Sequence, residues 1–402
     1  MRLVQISDLH LGRSLGGLDL PSGVRDSLER AALNALDRAC QLVLERDAAV
    51  LLIPGDLFDR PEVSEELVSE VQALFECLQR PVLVSPGNHD AFGPMSVWNN
   101  AALERLGLRR WSDNVWVFSS RGLTPRSVID GELVVYGHRV EGYHAASDSP
   151  LTDVVLTNDA RYRVLLVHGA LQGTRQDRRT TLPFTAPQLA ELGADYAAVG
   201  HYHRYLPIEY EGRLVGAYAG AAVPGEMDED PHGGLLVVTL RAEGSQVEFV
   251  NVHPGRIARL AVAGEPPFTG TDDACVRALA AARRSGLTGE DIVSVRLTGC
   301  SSLPLDAGSI AERLSPHFRH VALSDETDPE ATLPTVSGGE RATVESSYVR
   351  LLRGEIECCG DADRRELLES ALRYGRLALR GRSLRPPAAV SEPEATQEHD
   401  VD

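Results

Sequence analysis

The sequence predicts an α/β protein: an α/β sandwich of two sheets flanked by helices, followed by a small α/β capping domain and C-terminal helices. Three observations predict it. Short apolar runs alternate with amphipathic helical stretches in the first half of the chain, the pattern turns strand-rich from about residue 115, and Asp, Asn and His residues recur just after the strands. Strand–helix–strand units of this length imply layers, with helices covering a sheet.

Residues 3–6 read as the first strand. Residues 24–44 read as a helix, because Leu28, Ala31, Ala32, Ala35, Leu36, Ala39, Leu42 and Val43 recur at helical spacing. Strands at 49–53 and 82–85 enclose a second helix at 63–78. Apolar runs at 115–118, 133–136, 164–167, 196–199, 235–240 and 247–252 are separated by turn residues, the signature of a sheet with substantial antiparallel content. This first domain is expected to span 1–255, closing near His253-Pro254-Gly255. A capping or substrate-positioning domain is expected over 256–335, with helices at 273–284 and 307–314 and strands at 292–297 and 319–323. A C-terminal helical segment over 336–385 suits docking of a partner. Residues 386–402 carry Glu392, Glu394, Glu398, Asp400 and Asp402 without arginine, and read as a disordered acidic tail.

Composition narrows the function classes. At about 100–200 residues per domain, the length allows two or three domains. With 43% apolar and 24% charged residues among 402, the chain can bury a large core and is not a disordered one. A net charge of −18 excludes a surface coated in basic residues, though not a local anion site. The sequence has no lysine, so every fixed side-chain cation that meets a phosphate is a guanidinium, which can bind it bidentately. No apolar run approaches the roughly 18 residues of a membrane span. No export signal is expected ahead of the first strand. The six cysteines form no Cys-X-X-Cys pair, and adjacent Cys358 and Cys359 read as incidental helix residues. A reduced cytoplasm is the expected location.

The residues that carry chemistry follow strands. Asp8-Leu9-His10, Gly55-Asp56-Leu57-Phe58-Asp59 and Gly87-Asn88-His89-Asp90 follow the first three; Val167-His168-Gly169 ends a later one, and Gly200-His201-Tyr202-His203 follows another. Strand ends line one edge of an α/β sheet, where ligands usually bind. Taken singly, the first two blocks read better as ordinary loops and turns. In this order, each at a strand end, they do not. Carboxylate, amide and imidazole donors without thiolate suit divalent Mn, Fe or Zn. Asp8, His10, Asp56, Asn88, His168, His201 and His203 are too many for one ion but fit two that share a bridging carboxylate, with Asp56 the natural bridge. Two metals about 3.5–4 Å apart clamp the attacking and leaving oxygens in phosphoryl chemistry.

At these residues the sequence resembles the calcineurin-like metallophosphoesterases, whose motif series it matches at Asp8/His10, Asp56, Asn88/His89, His168 and His201/His203. Within them it looks most like the bacterial DNA-repair exonucleases of the SbcD and YhaO type, on the phrases Gln5-Ile6-Ser7-Asp8-Leu9-His10-Leu11-Gly12, Ile53-Pro54-Gly55-Asp56-Leu57-Phe58-Asp59 and Pro86-Gly87-Asn88-His89-Asp90. The resemblance covers residues 1–255, with the cap and C-terminal helices matching in arrangement only. It implies a metal-dependent DNA exonuclease, cutting endonucleolytically as a further capacity, in which a water activated by two divalent ions, Mn2+ first and Fe2+ or Zn2+ as alternatives, attacks phosphorus. One metal would be held by Asp8, His10 and His203 and the other by Asn88, His168 and His201, with Asp56 between them. His89 would stand near the leaving oxygen as general acid or charge stabiliser. Asp90 would either orient His89 or cap a loop. Asp59 stands where some members carry histidine, so no substrate role carries over to it.

The resemblance also implies DNA as substrate and a coiled-coil ATPase partner of the SbcC/YhaN type; a homodimer is a further expectation. Basic residues near His168, namely Arg161, Arg163, Arg175, Arg178 and Arg179, are candidates for extending a DNA track, with Arg175, Arg178 and Arg179 the strongest. A second basic cluster comprises Arg373, Arg376, Arg380, Arg382 and Arg385. A small-substrate phosphodiesterase or phosphatase is the competing enzyme reading. A scaffold that keeps the fold only to bind a partner is the non-enzymatic one, and the complete ligand set argues against it.

Overall fold

The computed structural model describes residues 1–14, 20–140, 151, 156, 159–173, 181–225, 233–252, 255–329 and 343–379. Contacts divide the chain into two compact units. One comprises Met1–Val262, Ala274–Leu297 and Asp306–Asp325; the other comprises Ala263–Asp273, Thr298–Leu305 and Glu326–Asp402.

The first half of the larger unit runs β1 (Arg2–Gln5), α1 (Ser22–Glu45), β2 (Leu51–Ile53), α2 (Glu65–Leu78), β3 (Val82–Val84), α3 (Asn100–Arg105) and β4 (Val115–Val117). It continues with β5 (Thr124–Ile129), β6 (Leu133–Gly137), β7 (Tyr162–His168), α4 (Ala186–Glu191), β8 (Tyr196–Gly200), β9 (Leu206–Tyr210), β10 (Arg213–Tyr218), β11 (Leu235–Thr239) and β12 (Gln246–Val250). Two six-stranded sheets result, in the orders β12-β11-β1-β2-β3-β4 and β5-β6-β7-β8-β10-β9. Each has a parallel centre, β1 to β4 and β6-β7-β8-β10, with antiparallel strands only at its margins.

Alternation along the strands explains the layering. On β1, Leu3 joins Val50, Leu52 and Leu83 in meeting Val135, Val164, Leu166 and Ala198 of the other sheet. Val4 and Ile6 point the opposite way, onto Leu28 and Leu36 of α1 and Val68 and Phe75 of α2. Strands buried on both faces read as continuous apolar runs, which is why they were legible. α2 begins at Ser64, whose hydroxyl accepts from Leu67 N at 3.3 Å, with Glu65 and Glu66 in its first turn. A buried polar latch joins the sheets: Gln5 Nε2 donates to Val199 O at 3.2 Å and Ala217 O at 3.0 Å, while Tyr196 Oη donates to Gln5 Oε1 at 2.8 Å.

A third, smaller sheet contains β13 (Ile257–Phe268), β14 (Ile292–Ser301), β15 (His320–Asp325) and β16 (Asp328–Pro329), with α5 (Thr271–Arg284) and α6 (Ala307–Leu314) between its strands. The last two helices, α7 (Val344–Cys358) and α8 (Ala362–Leu379), pair as a hairpin in which Tyr348 Oη donates to Ala371 O at 2.7 Å. The expected tail at 386–402 lies outside the described residues.

The two-sheet sandwich with flanking helices and a small additional sheet matches the expectation. Strands β5, β9, β10 and β13 were not anticipated. β9 and β10 form a hairpin turned by Glu211 and Gly212, both at positive φ, and only Ile208 of β9 is fully buried. β13 alternates buried and exposed positions and ends on a Pro-Pro pair before Phe268. Half-exposed strands lack the apolar run that marks buried ones. Among the described residues, no helix is long and apolar enough to cross a membrane.

Candidate metal centre

Parallel pairing of β1, β2 and β3 sends the loops that follow them off the same sheet edge. The backbones stay paired beyond the strands: Asp8 N donates to Gly55 O at 3.2 Å and His10 N to Asp56 O at 3.1 Å. In the second sheet β7 and β8 are parallel, with His168 opposite Gly200. The two edges are tied together. His201 N donates to Asp8 Oδ1 at 2.9 Å, and His168 Nδ1 donates to Pro54 O at 2.9 Å.

Four of the expected ligands have left-handed backbone: Asp8, His10, Asp56 and His201, at φ of 54°, 47°, 51° and 117°. Such conformations cost non-glycine residues about 1–3 kcal/mol and persist where side chains must be aimed. Gly87 serves the same end differently. A Cβ on it would collide with the Asp56 carboxylate, so only glycine lets the third loop close over the second.

All seven expected ligands converge. Asp8, His10 and His203 each bring a ligand atom within 4.8 Å of the others, and Asp56, His168 and His201 do the same. His168 Nε2 lies 2.9 Å from Asn88 Oδ1 and 3.3 Å from Asp56 Oδ2, which adds Asn88 to the second group. His10 Nε2 lies 4.0 Å from Asp56 Oδ2, so Asp56 faces both groups.

The donor set fits a pair of divalent cations on the structure's own terms. Asp8 Oδ2 is buried without a hydrogen-bond partner among the described residues. With its Nδ1 proton committed to Pro54, a neutral His168 turns a lone pair toward Asn88 Oδ1 and Asp56 Oδ2. Lone pairs facing one point require a proton or a cation. Without a cation the proton is favoured: burial works against it, yet Asp56 and Asp8 raise the His168 pKa to about 9. Burial also opposes ionisation of Asp56, but His168, His10 and His89 hold its carboxyl well below the usual range. Asp8 is pushed up by burial and by the charge of Asp56, against His168 and His203.

His89 lies at the edge of the cluster: its ring meets that of His10 edge-on at 4.4 Å between centroids, and with His10 and Asp59 it forms a third group whose ligand atoms lie within 4.8 Å of one another. Its side chain is 24% exposed, against 3% for His10 and 0% for His168. Its backbone N donates to Asp56 Oδ1 at 2.9 Å, and its Nδ1 donates to Asp59 O at 3.1 Å. Sequence reasoning left Asp59 without a role, whereas the structure makes it a hub: Oδ1 is 3.4 Å from His10 Nδ1, 3.7 Å from His89 Nδ1 and 4.0 Å from Arg13 Nε. The available signal was its place three residues after Asp56 with Leu57 and Phe58, both fully buried, between them. Arg13 was missed altogether.

Asp90 takes the loop-capping place of its two expected alternatives. Oδ1 accepts from Gly87 N at 2.7 Å and Asp56 N at 3.2 Å, while Oδ2 accepts from Leu57 N at 3.0 Å, Phe58 N at 3.3 Å and Trp98 Nε1 at 2.9 Å. One buried carboxylate thereby ties the second loop to the third.

Arg175, Arg178 and Arg179 lie outside the described residues. Arg161 and Arg163 do not surround His168. They sit at the start of β7, and at about 3.3 Å per residue five to seven positions separate them from His168 by roughly 16–23 Å. Arg161 lies 3.6 Å from Glu132 and over the Tyr162 ring instead.

Residues 1–205 match the family described as calcineurin-like phosphoesterase. Similar curated proteins include an uncharacterized metallophosphoesterase, YhaO, of Bacillus subtilis, 24% identical over 260 residues covering 63% of this chain and 60% of that one. Another is the DNA double-strand break repair protein Mre11 of Methanopyrus kandleri, 30% identical over 223 residues covering 50% of this chain and 44% of that one. The chain thus spans about half the length of these relatives. Solved structures of similar course include TT1561 of Thermus thermophilus (TM-score 0.37, 12% identity, 62% of this chain and 98% of that one) and a dimetal phosphatase from Danio rerio (TM-score 0.35, 12% identity, 62% and 98%).

Proposed function

The chain belongs to the calcineurin-like phosphoesterase family, and from that premise we propose that it hydrolyses phosphodiester bonds of DNA as a metal-dependent repair exonuclease with endonucleolytic capacity. The observation that carries the reading is the pairing of two oxygen- and nitrogen-donor clusters, Asp8/His10/His203 and Asp56/His168/His201, with Asp56 facing both. Similarity to a repair protein named Mre11 supports the DNA assignment. Mn2+ is the proposed physiological ion, a coiled-coil ATPase the proposed partner, a homodimer the proposed assembly and the cytoplasm the proposed location. Docking of the partner is proposed for α7 and α8, where apolar residues recur at helical spacing.

Asp8, His10 and His203 would hold one cation, and Asn88, His168 and His201 the other, with Asp56 shared. When bound, such a pair supplies Lewis acidity toward phosphoryl oxygens and a nucleophilic water at neutral pH. The protein's own groups do the rest. Pro54 O fixes the ring of His168, and Asp59 faces Nδ1 of His10, so both imidazoles present Nε2 to the centre. The more exposed His89 reaches toward solvent from beside Asp56 and would deliver a proton to, or stabilise charge on, the leaving oxygen. Two divalent ions would bring +4 against the carboxylates of Asp8, Asp56 and the neighbouring Asp59 and Asp90, so bound ions would make the centre far less acidic than the protein as a whole.

The test is the purified protein with manganese on end-labelled linear DNA, a cyclic nucleotide and bis(p-nitrophenyl) phosphate. Degradation of DNA that disappears in His89→Ala is the expected result. Turnover of the small esters with intact DNA would assign the chain to a small-substrate phosphodiesterase instead.

A further inference from the structure

The margin where the two large sheets meet carries an arginine and a tryptophan that the metal centre does not use. Strand β4 ends one sheet and β5 ends the other. Val115 and Val117 of β4 pack toward the flanking helices, so alternation turns Trp116 to the face that meets the second sheet. Phe118, next on that face, is 1% exposed, whereas Trp116 is 41% exposed. Arg126 reaches across from β5 and lays its guanidinium over the Trp116 ring, 4.1 Å from the centroid. Arg126 is itself exposed and makes no ion pair among the described residues. That is notable in a chain whose 58 acidic residues outnumber its 40 arginines. The carboxylates that follow it in sequence are engaged elsewhere: Asp130 accepts from Ser127 Oγ at 3.0 Å, and Glu132 faces Arg161 at 3.6 Å.

Stacking on a ring occupies the flat face of a guanidinium and leaves the N–H donors along its edge. Trp116 therefore holds Arg126 in place without consuming the groups that bind anions, and the planar fork matches phosphate oxygens bidentately. Register sets the distance to the metal centre. Arg126 stands opposite Val135 and, through it, Val164, four positions before His168. At about 3.3 Å per residue and two strand spacings of about 4.8 Å, its backbone lies roughly 16 Å from that of His168. We propose that Arg126, held flat by Trp116, binds a backbone phosphate of a DNA strand a few nucleotides from the scissile bond, on the flank where the sheets meet. This rests on the reading of DNA as substrate and extends it to a second anchor. The contact serves a polymer and offers nothing to a small diester held at the metals.

Two variants separate charge from cover. Arg126→Leu keeps an apolar cover on Trp116 and removes the donors, whereas Arg126→Lys keeps the charge. Binding of a fluorescein-labelled oligothymidylate is measured by anisotropy across a salt series, with Ca2+ replacing Mn2+, and urea unfolding gives the stability of each variant. Arg126→Leu is expected to bind about fivefold more weakly at about 0.1 M salt. Its slope of log K against log salt should be shallower by about 0.7, the value for one phosphate contact on single-stranded DNA, while Arg126→Lys keeps the wild-type slope. An unchanged slope in Arg126→Leu overturns the proposal, with or without lost stability, as does failure of the wild type to bind. Location is read separately. Trp98 and Trp111 are 2% and 7% exposed, so acrylamide quenching of tryptophan emission reports chiefly on Trp116. Unlabelled oligothymidylate should shield Trp116 from acrylamide in the wild type. Equal quenching with and without DNA overturns the proposal, and decides it alone should Arg126→Leu not fold. Hydrolysis of the same DNA by the manganese-loaded wild type is assayed in parallel. DNA bound with an Arg126-dependent slope but left uncut sinks the nuclease reading and keeps the contact. DNA cut with a slope indifferent to Arg126 does the reverse.

Discussion

The Nε2 atoms of His10 and His203 lie 3.1 Å apart, although their loops leave different sheets. Two imidazole nitrogens approach this closely when one shares a proton with the other or when both face a common cation. Asp8, the third member of their group, has an orphaned buried oxygen beside them. Metal analysis of the manganese-saturated protein should therefore give two ions per chain. His203→Ala and His201→Ala should each reduce this to one, read by mass spectrometry of the digested protein. Two ions retained in both would refute the ligand assignment.

His89→Ala should retain both ions and lose hydrolysis by about 10²–10⁴-fold, the usual contribution of a positioned proton donor. Metal content and rate measured on the same preparation decide this. Loss of an ion along with activity would move His89 into the ligand set, where the grouping of His10, Asp59 and His89 would hold it.

Asp90→Ala should behave as a stability variant. It strips four backbone N–H groups and the Trp98 indole of their acceptor in a fully buried place. Unsatisfied buried donors cost about 1–3 kcal/mol each before relaxation, so a loss of about 3–5 kcal/mol is expected in denaturant unfolding. Asp90→Asn, which keeps one acceptor oxygen, should recover part of it. A stable Asp90→Ala with a displaced pH–rate profile would instead make Asp90 an orienter of His89.

His138 should make the protein acid-sensitive. Burial pushes its pKa down to about 4 from the ordinary 6.5, with the backbone of Arg139 pulling slightly the other way. Below pH 6.5 the unfolded chain takes up a proton here that the folded chain refuses. The contribution is thus fully present above that pH and lost as pH falls toward 4. Linkage changes stability by roughly 1.4 kcal/mol for each pH unit over which the two states differ by one bound proton. Between pH 7 and pH 5 the wild type should therefore lose about 2 kcal/mol more stability than His138→Gln. Equal losses in urea unfolding would contradict it.

The seven expected ligands were readable as a set because each follows a short apolar run, and residue type together with that position was sufficient to anticipate their convergence. Asp90 was not, since the groups that donate to it, on Gly87, Asp56, Leu57, Phe58 and Trp98, come together only once two loops have closed. Asp59 looks in sequence like any charged loop residue, and its contacts with His10, His89 and Arg13 arise only across the fold. Arg161 and Arg163 show the converse error: nearness to His168 along an extended strand is distance in space.

The amino-acid sequence alone determined which chemistry this protein carries, because oxygen and nitrogen donors without thiolate restrict the ions and reactions open to it, and because double-sided burial writes parallel strands as plain apolar runs. The tertiary structure alone decided how those donors divide into two groups and what surrounds them. That division depends on two sheets meeting at one edge, held by the Gln5–Tyr196 latch and the Asp8–His201 and Pro54–His168 bonds between residues more than a hundred positions apart. Contacts across such separations arise from packing, and no local pattern records them.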